Sequence, residues 1–146
     1  MLSGREIVAA AERGDLQAVR AMVSVDEIAD AWWRYTVRTV GAPEDWDTDP
    51  DAWASELWHE EVVLGDDEFS RDLVRALAER APRGADMGYL GAGPVEDFAT
   101  NEDRLRWIEA EAARSPNFRA ALANVYPRPS LSEEQNARLR RAAEVD

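Results

Sequence analysis

The residues with the clearest chemical spacing in this sequence are five acidic side chains in one short stretch. Asp45, Asp47, Asp49, Asp51 and Glu56 occupy the first, third, fifth, seventh and twelfth positions of an EF-hand-like calcium loop. A proline stands at the sixth position, where such a loop requires a glycine for its sharp turn. The spacing therefore favours a metal site with Asp45, Asp47, Asp49 and Glu56 as ligands, and the turn chemistry disfavours it.

A second metal motif overlaps the first, because Glu56 and His59 form a Glu-x-x-His sequence. In di-iron helical bundles two such motifs act together with two further glutamates. The chain contains one histidine, so a dinuclear site is excluded by counting. A mononuclear site stays open, but we expect His59 to be an ordinary, partly buried histidine.

Groups for nucleophilic or phosphate chemistry are scarce. The chain has no cysteine, no lysine and no Gly-x-Ser-x-Gly sequence, which excludes thiol, Schiff-base and serine-elbow chemistry. The glycine-rich stretch 88–93 leads into a helix that carries Glu96 and Asp97, whose charges would repel a phosphate. We expect no catalytic residue and no cofactor, and we favour a protein that is not an enzyme.

The net charge of -13 is concentrated in one segment. Residues 24–70 contain fourteen acidic residues and two arginines, whereas the rest of the chain is nearly balanced. A strongly acidic field disfavours nucleic-acid binding and favours a basic partner. Plain solubility is the simpler explanation, and charge alone does not exclude it.

Most of the tryptophans lie in this acidic segment, and tryptophan is common in the hot spots of protein interfaces. Most of them should fill the core, and Trp46, in a polar loop, is the best candidate for exposure. Acidic groups around exposed tryptophan suit an arginine-rich partner through charge and cation–π contacts. The predicted binding residues are Asp45, Trp46, Asp47, Asp49, Asp51, Asp66 and Asp67.

Helix signals run along the whole chain, and no stretch alternates like a strand. Capping boxes begin at Ser3, Ser24 and Ser132. Helix starts are also predicted at Asp49 and at Asp66 or Asp67, and caps at Thr100 and Ser115. The second capping box opens a helix with apolar residues on two sides, which predicts burial on both faces. These signals predict an all-α fold of seven to nine helical segments.

The length fits one domain over residues 1–146. We divide it into N-terminal helices at 1–41, an acidic loop at 42–51, a central portion at 52–129 and a C-terminal helix at 130–146. No apolar run is long enough for a membrane span or a signal peptide, so we expect a cytoplasmic protein.

A distinctive motif lies in the central portion, where Gly93 and Pro94 precede Glu96 and Asp97. It resembles the Gly-Pro-Leu-Glu-Asp motif of a family of uncharacterised bacterial helical domains, and the resemblance extends weakly back to about Trp53. That family has no established activity, so the resemblance implies a helical fold and little else. We favour a capping and helix-dipole role for both acids over a functional one. The matching residues are Gly93, Pro94, Val95, Glu96, Asp97, Phe98, Ser115, Pro116, Phe118, Arg119, Val125 and Tyr126.

The segment AAERGDLQAVRAMV near the N-terminus resembles the helical pair of an ankyrin repeat. Only one copy is present, and ankyrin-type stacking needs about three copies. We therefore interpret it as a local helical hairpin.

Three functions are compatible with these patterns. The first is a non-enzymatic interaction protein that binds a basic protein partner, as a toxin-neutralising or immunity protein does. The second is a calcium- or metal-dependent regulatory protein built on Asp45 to Glu56. The third, and least favoured, is a hydrolase that uses the acids between Gly93 and Asp97.

Overall fold

The computed structural model describes residues 3–40 and 48–144. Strands are absent from this part of the chain, which confirms the all-α prediction. The chain divides into two compact units, Met1–Arg80 (unit 1) and Ala81–Asp146 (unit 2). The expectation of one domain stays a prediction. No helix in the described ranges is long and apolar enough to cross a membrane.

Unit 1 begins with a helical hairpin whose turn contains Gly14 at a φ of 76°, a left-handed conformation that favours glycine. The predicted capping boxes are confirmed, with Ser3 paired to Glu6 and Ser24 to Glu27. The helices of the unit are α1 (Gly4–Glu12), α2 (Leu16–Met22), α3 (Val25–Thr39), α4 (Ala52–Trp58), α5 (Glu61–Leu64) and α6 (Asp67–Glu79).

Helix α3 is central to unit 1 and packs against α4 and α6. Trp32 and Trp33 are both buried, which confirms that α3 is covered on two sides. The indole N–H of Trp33 donates to the backbone oxygen of Leu77 at 2.8 Å, so its buried polar group is satisfied. Val37 and Val40, at the C-terminal end, are 59% and 47% exposed, so the predicted burial of both faces does not extend to that end.

The predicted helix from Asp49 to Gly65 differs from the structure in two ways. It begins at Ala52, because the carboxylate of Asp49 accepts from the backbone N–H of Asp51 in a turn before the helix. It is also divided into α4 and α5, since Glu60 has extended backbone angles. The predicted start at Asp66 is confirmed, because Asp66 caps α6.

Unit 2 is built around α9, which packs against α10 and α11. The ring of Trp107 lies edge-on to Phe98 and Phe118, with ring centres 5.3 and 5.8 Å apart. Such edge-to-face pairs add to the stability gained by aromatic burial. The helices of the unit are α7 (Gly88–Leu90), α8 (Glu96–Phe98), α9 (Glu102–Arg114), α10 (Pro116–Leu122) and α11 (Glu133–Ala142).

The caps of unit 2 follow the sequence with one exception. Ser115 caps α10 and Ser132 caps α11, as predicted. Helix α9 is capped by Asn101, whose side chain accepts from the N–H of Arg104 at 2.9 Å, and not by Thr100. Asparagine is at least as good a cap as threonine, and its place one residue later sets the helix start.

Eight of the described helices have seven or more residues, and four helical segments have only three to five. The predicted number of seven to nine helical segments agrees with the number of longer helices, and it does not include the short ones. The short turns carry little periodic signal, because one helical turn contains too few residues to define a face.

Candidate functional site

Only some of the residues that were predicted to bind a partner lie in the part of the chain that the structure describes. Asp66 accepts from the N–H of Phe69 at 2.8 Å, and Asp67 is exposed in the first turn of α6. The helix dipole favours both charges at this position, so local structure accounts for them. Three of the predicted residues lie outside the described residues, namely Asp45, Trp46 and Asp47.

Asp49 and Asp51 are held by two arginines of α3. Arg34 donates to both carboxylate oxygens of Asp51 at 3.1 Å, and Arg38 donates to Asp49 at 2.9 and 3.0 Å. Arg38 also bonds Asp51. The side chains of Asp49 and Asp51 are only 7% and 14% exposed, so their ion pairs leave little of either available to a partner.

These ion pairs also set the charge state of the two acids. The Arg38 guanidinium lowers the pKa of Asp49, and Arg34, aided by Arg38, lowers the pKa of Asp51. A carboxylate with a lowered pKa in the folded state adds stability above its unfolded pKa, and this stability is lost as pH falls through the folded pKa. The network is therefore intact at neutral pH and weakens only in acid.

The described residues contain no cluster of metal ligands that would support the calcium hypothesis or the Glu-x-x-His hypothesis. Within ranges 3–40 and 48–144, no three acidic, histidine or cysteine side chains converge as a metal site. Glu56 is exposed on α4, whereas guanidinium groups bond Asp49 and Asp51. His59 is exposed and not partly buried as expected, and its Nδ1 lies 2.9 Å from the Ser55 oxygen. The calcium hypothesis stays a prediction, because two of its four ligands lie outside these ranges.

A groove of about 470 Å³ runs between helices of unit 1. We call it the Trp53 groove. Helix α1 supplies a glycine and an isoleucine, the end of α2 supplies apolar side chains, α3 supplies charged groups and α4 supplies the tryptophan. The lining residues are Gly4, Ile7, Met22, Val23, Glu27, Asp30, Arg34 and Trp53.

The aromatic wall of the groove depends on a glycine in the first turn of α1. Trp53 is partly exposed, and a Cβ atom at Gly4 would lie only 2.2 Å from its Cγ. The absence of a side chain at Gly4 therefore lets the indole lie directly against α1. The large aromatic face is fixed by this contact and still reaches the groove.

The acidic wall of the groove comes from two carboxylates of α3. Glu27 is exposed, and its Oε1 accepts from the N–H of Ser24 at 3.1 Å in the capping box. Asp30 accepts two bonds from Arg80, at 2.7 and 2.8 Å, which lower its pKa. Asp30 therefore stays ionised at neutral pH, although its charge is shared with Arg80.

This combination of groups suits a long cationic side chain. The aliphatic part of an arginine or lysine can pack on Ile7 and Met22, while its charged end meets Glu27 and the face of Trp53. A cation over an aromatic ring gains about 0.5–1 kcal/mol at an exposed site. Its lining residues include no serine, threonine, cysteine or histidine.

Sequence reasoning missed the groove because its lining comes from four helices that are distant in the sequence. Glu27 was interpreted as a capping residue only, and Trp53 as one of several core tryptophans. One residue in the sequence, Gly4, did signal the groove. A glycine at the first position of a helix with a strong capping box suggests that another group lies close to that position.

The motif residues of unit 2 have structural partners. Gly93 has non-helical backbone angles and kinks the chain within Gly91–Val95, and Pro94 follows the kink. Glu96 forms an ion pair with Arg128, whose side chain is 24% exposed. Asp97 lies beside Glu96 in the single turn α8. Glu96 thus fastens the loop before α11 to the motif.

Comparison with known families identifies the central and C-terminal parts of the chain. A family described as a family of unknown function, DUF6869, matches residues 41–145, which is more than half of the sequence. The chain belongs to DUF6869. No curated protein and no solved structure matches it.

The DUF6869 match covers all of the motif and begins at residue 41, before the start near Trp53 that the resemblance suggested. Trp53 lies inside the match, whereas the groove residues contributed by α1, α2 and α3 lie before it. The Trp53 groove is thus built mainly from the part of the chain outside the DUF6869 match.

Proposed function

We propose that this protein is a non-enzymatic interaction protein of the bacterial cytoplasm that binds a basic protein partner. A toxin-neutralising or immunity protein works in this way. The observation that carries the proposal is the Trp53 groove, in which an aromatic face, apolar walls and ionised carboxylates lie together. The groove belongs to the more acidic of the two units.

The charge of unit 1 supports attraction of such a partner over distance. Residues 1–80 carry 19 acidic residues and 8 arginines, for a net charge of -11. Two of those arginines, Arg34 and Arg38, are bound to Asp49 and Asp51 and do not offset the remaining acids. Complementary charge speeds association and is screened by salt, because the Debye length falls to about 8 Å at physiological ionic strength.

The partner in this proposal presents an exposed arginine or lysine on a positively charged surface. Its cationic side chain enters the Trp53 groove, and the surrounding acids of unit 1 meet the rest of that surface. The groove therefore provides the specific contact, and the net charge provides the general attraction. The two contributions respond differently to mutation and to salt.

A fluorescent nona-arginine peptide is a suitable probe for the specific contact, with affinity measured by anisotropy at low and high salt. Glu27→Gln removes one groove charge but keeps the capping box, since glutamine also completes that motif. An exposed ion pair contributes up to about 1 kcal/mol. We therefore expect Glu27→Gln to weaken binding about two- to fivefold.

The matched control is Glu6→Gln, because Glu6 completes the capping box of α1 in the same way and does not line the groove. It changes the net charge equally and should leave the affinity near that of the unmodified protein. Equal losses for the two variants would mean that only general charge attraction operates. Failure of the peptide to bind at low salt would contradict the proposal outright.

A further inference from the structure

Unit 2 contains a separate pocket of about 480 Å³ between α9, α10 and α11. We call it the Arg119 pocket. Its floor consists of alanines, whose short side chains leave the space open, and its walls carry charged groups. The lining residues are Glu109, Ala112, Ala113, Arg119, Arg138, Arg141, Ala142 and Glu144.

The three arginines of the pocket differ in their partners. Arg138 is fully engaged, because it donates to Glu109 at 2.6 and 3.2 Å and to Glu102 at 2.8 Å. Arg141 has one contact with Glu134, at 3.2 Å, and both side chains of that pair are more than half exposed. Exposed pairs of this kind contribute little and are easily exchanged.

Arg119 has no carboxylate partner among the residues that the structure describes. Its Nη1 donates to the backbone oxygen of Ala112 at 2.6 Å, which holds the guanidinium against α9. Its Nε is inaccessible to solvent and has no acceptor in that part of the chain. A buried donor without an acceptor is destabilising, and more so when the group is charged.

An oxyanion in the pocket can accept from the Nη groups of Arg119, whereas the Nε is closed to solvent and is not reached from the pocket. A guanidinium presents its N–H groups as a planar fork that matches a carboxylate or a phosphate. Arg119 is already oriented by Ala112, so little side-chain entropy is lost when the anion binds. Arg141 can leave its exposed partner and add a second contact from α11.

We propose that the Arg119 pocket binds a small-molecule oxyanion, a carboxylate or a phosphate group, with Arg119 as its main ligand and Arg141 as its second. Glu109 already forms an ion pair with Arg138, and the negative charge of Glu144 at the rim reduces the positive charge of the pocket. The site therefore fits one oxyanion of a small molecule and not an extended polyanion. This pocket is independent of the groove in unit 1 and of the partner proposed for it.

The test is a titration of the isotopically labelled full chain with inorganic phosphate and, separately, with succinate, followed by amide NMR shifts. Sodium chloride at matched ionic strength is the reference. We expect one of the two anions to give saturable shifts at Ala112, Ala113 and Ala142, and the anion that does so identifies the headgroup. The absence of saturable shifts with both anions would overturn the proposal.

Two variants test the pocket separately, so that the test still gives a result if one of them does not fold. Arg119→Gln removes the main ligand and should weaken binding about tenfold or more, because charge-assisted hydrogen bonds contribute about 1.5–3 kcal/mol. Ala113→Leu fills the pocket without changing charge, keeps a strong helix former at an exposed site of α9, and should abolish the shifts.

The control is Arg106→Gln, which removes an equal charge from an exposed arginine of α9 that does not line the pocket. Its affinity should equal that of the unmodified chain. Unchanged binding in both Arg119→Gln and Ala113→Leu would show that the anion binds elsewhere and would refute the assignment of this pocket.

Discussion

The two units of this chain use their charges in different ways. Unit 1 has a net charge of -11, whereas residues 81–146 carry 11 acidic residues and 9 arginines, for a net charge of -2. In unit 2 the arginines join helices and loops through ion pairs, as Arg128 does with Glu96 and Arg138 with Glu102. Balanced charge in unit 2 therefore serves the fold, whereas the acids of unit 1 outnumber the arginines of that unit that could pair with them.

The units also differ in how closely their backbones approach. A Cβ atom at Gly91 of unit 2 would lie 1.9 Å from the backbone oxygen of Ala121. At Gly4 of unit 1, the nearest atoms would be Cγ, Cδ1 and Cβ of Trp53, at 2.2, 2.3 and 2.6 Å, and rotation of the indole cannot move the Cβ atom. Unit 2 thus contains a contact between two backbone segments beside the motif, and unit 1 contains a contact between a helix end and the base of a side chain.

The largest expected effect is on the contact at Gly91. Gly91→Ala forces apart two backbone segments of unit 2 and should lower the free energy of unfolding by about 3 kcal/mol, at the upper end of the usual cost of overpacking. Gly4→Ala should cost less, because Gly4 is the first residue of α1 and this helix end can fray away from Trp53. Urea unfolding followed by circular dichroism measures both.

The control for this pair is Ala92→Ser, which adds one atom at an exposed position beside Gly91. Surface substitutions usually change stability by less than about 0.5 kcal/mol. A cost for Gly4→Ala as large as that for Gly91→Ala would mean that the groove wall is as rigid as the backbone contact, and the contrast between the units would fail.

A smaller effect is expected from the ion pairs of unit 2 in acid. Hydrogen bonds from Arg138, followed by Gln135, lower the pKa of Glu102 from 4.5 to about 2. The stability contributed by this carboxylate is present above its unfolded pKa and is lost as pH falls from about 4.5 towards 2. Glu102→Gln should therefore be less stable than the unmodified chain near pH 7, and this difference should shrink steadily as pH falls towards 2.

Thermal unfolding across that pH range checks this prediction. Glu134→Gln is the control, since Glu134 lies in an exposed pair of the same unit and its substitution should change stability little at any pH. A constant difference between Glu102→Gln and the unmodified chain, from pH 7 down to pH 2, would argue against the ion pair as the cause.

The features predicted correctly from the sequence are those that local chemistry determines. Ser3, Ser24, Ser115 and Ser132 were assigned as caps because a serine before an apolar periodic run is a local signal. At Thr100 and Asn101 the prediction chose the weaker of two adjacent caps, because threonine has an acidic residue three positions later, although asparagine is the stronger N-cap residue.

Only the residue types of the candidate site, and not their positions, could be predicted from the sequence. Acidic groups and tryptophan were expected together, but the expected residues were those of the loop at 45–51. The structure pairs Asp49 and Asp51 with Arg34 and Arg38 of α3, a contact between residues that spacing along one element cannot reveal. The groove likewise requires four helices to be placed before its lining is known.

The central claim is that a basic partner binds unit 1 through the Trp53 groove. The most direct measurement follows the indole N–H signals of the full chain by NMR during titration with the nona-arginine peptide. Trp53 reports on the groove, and Trp107, the single tryptophan of unit 2, serves as an internal reference. The account predicts a saturable shift of the Trp53 signal while the Trp107 signal stays unchanged. Binding that shifts the Trp107 signal and leaves the Trp53 signal in place would contradict it.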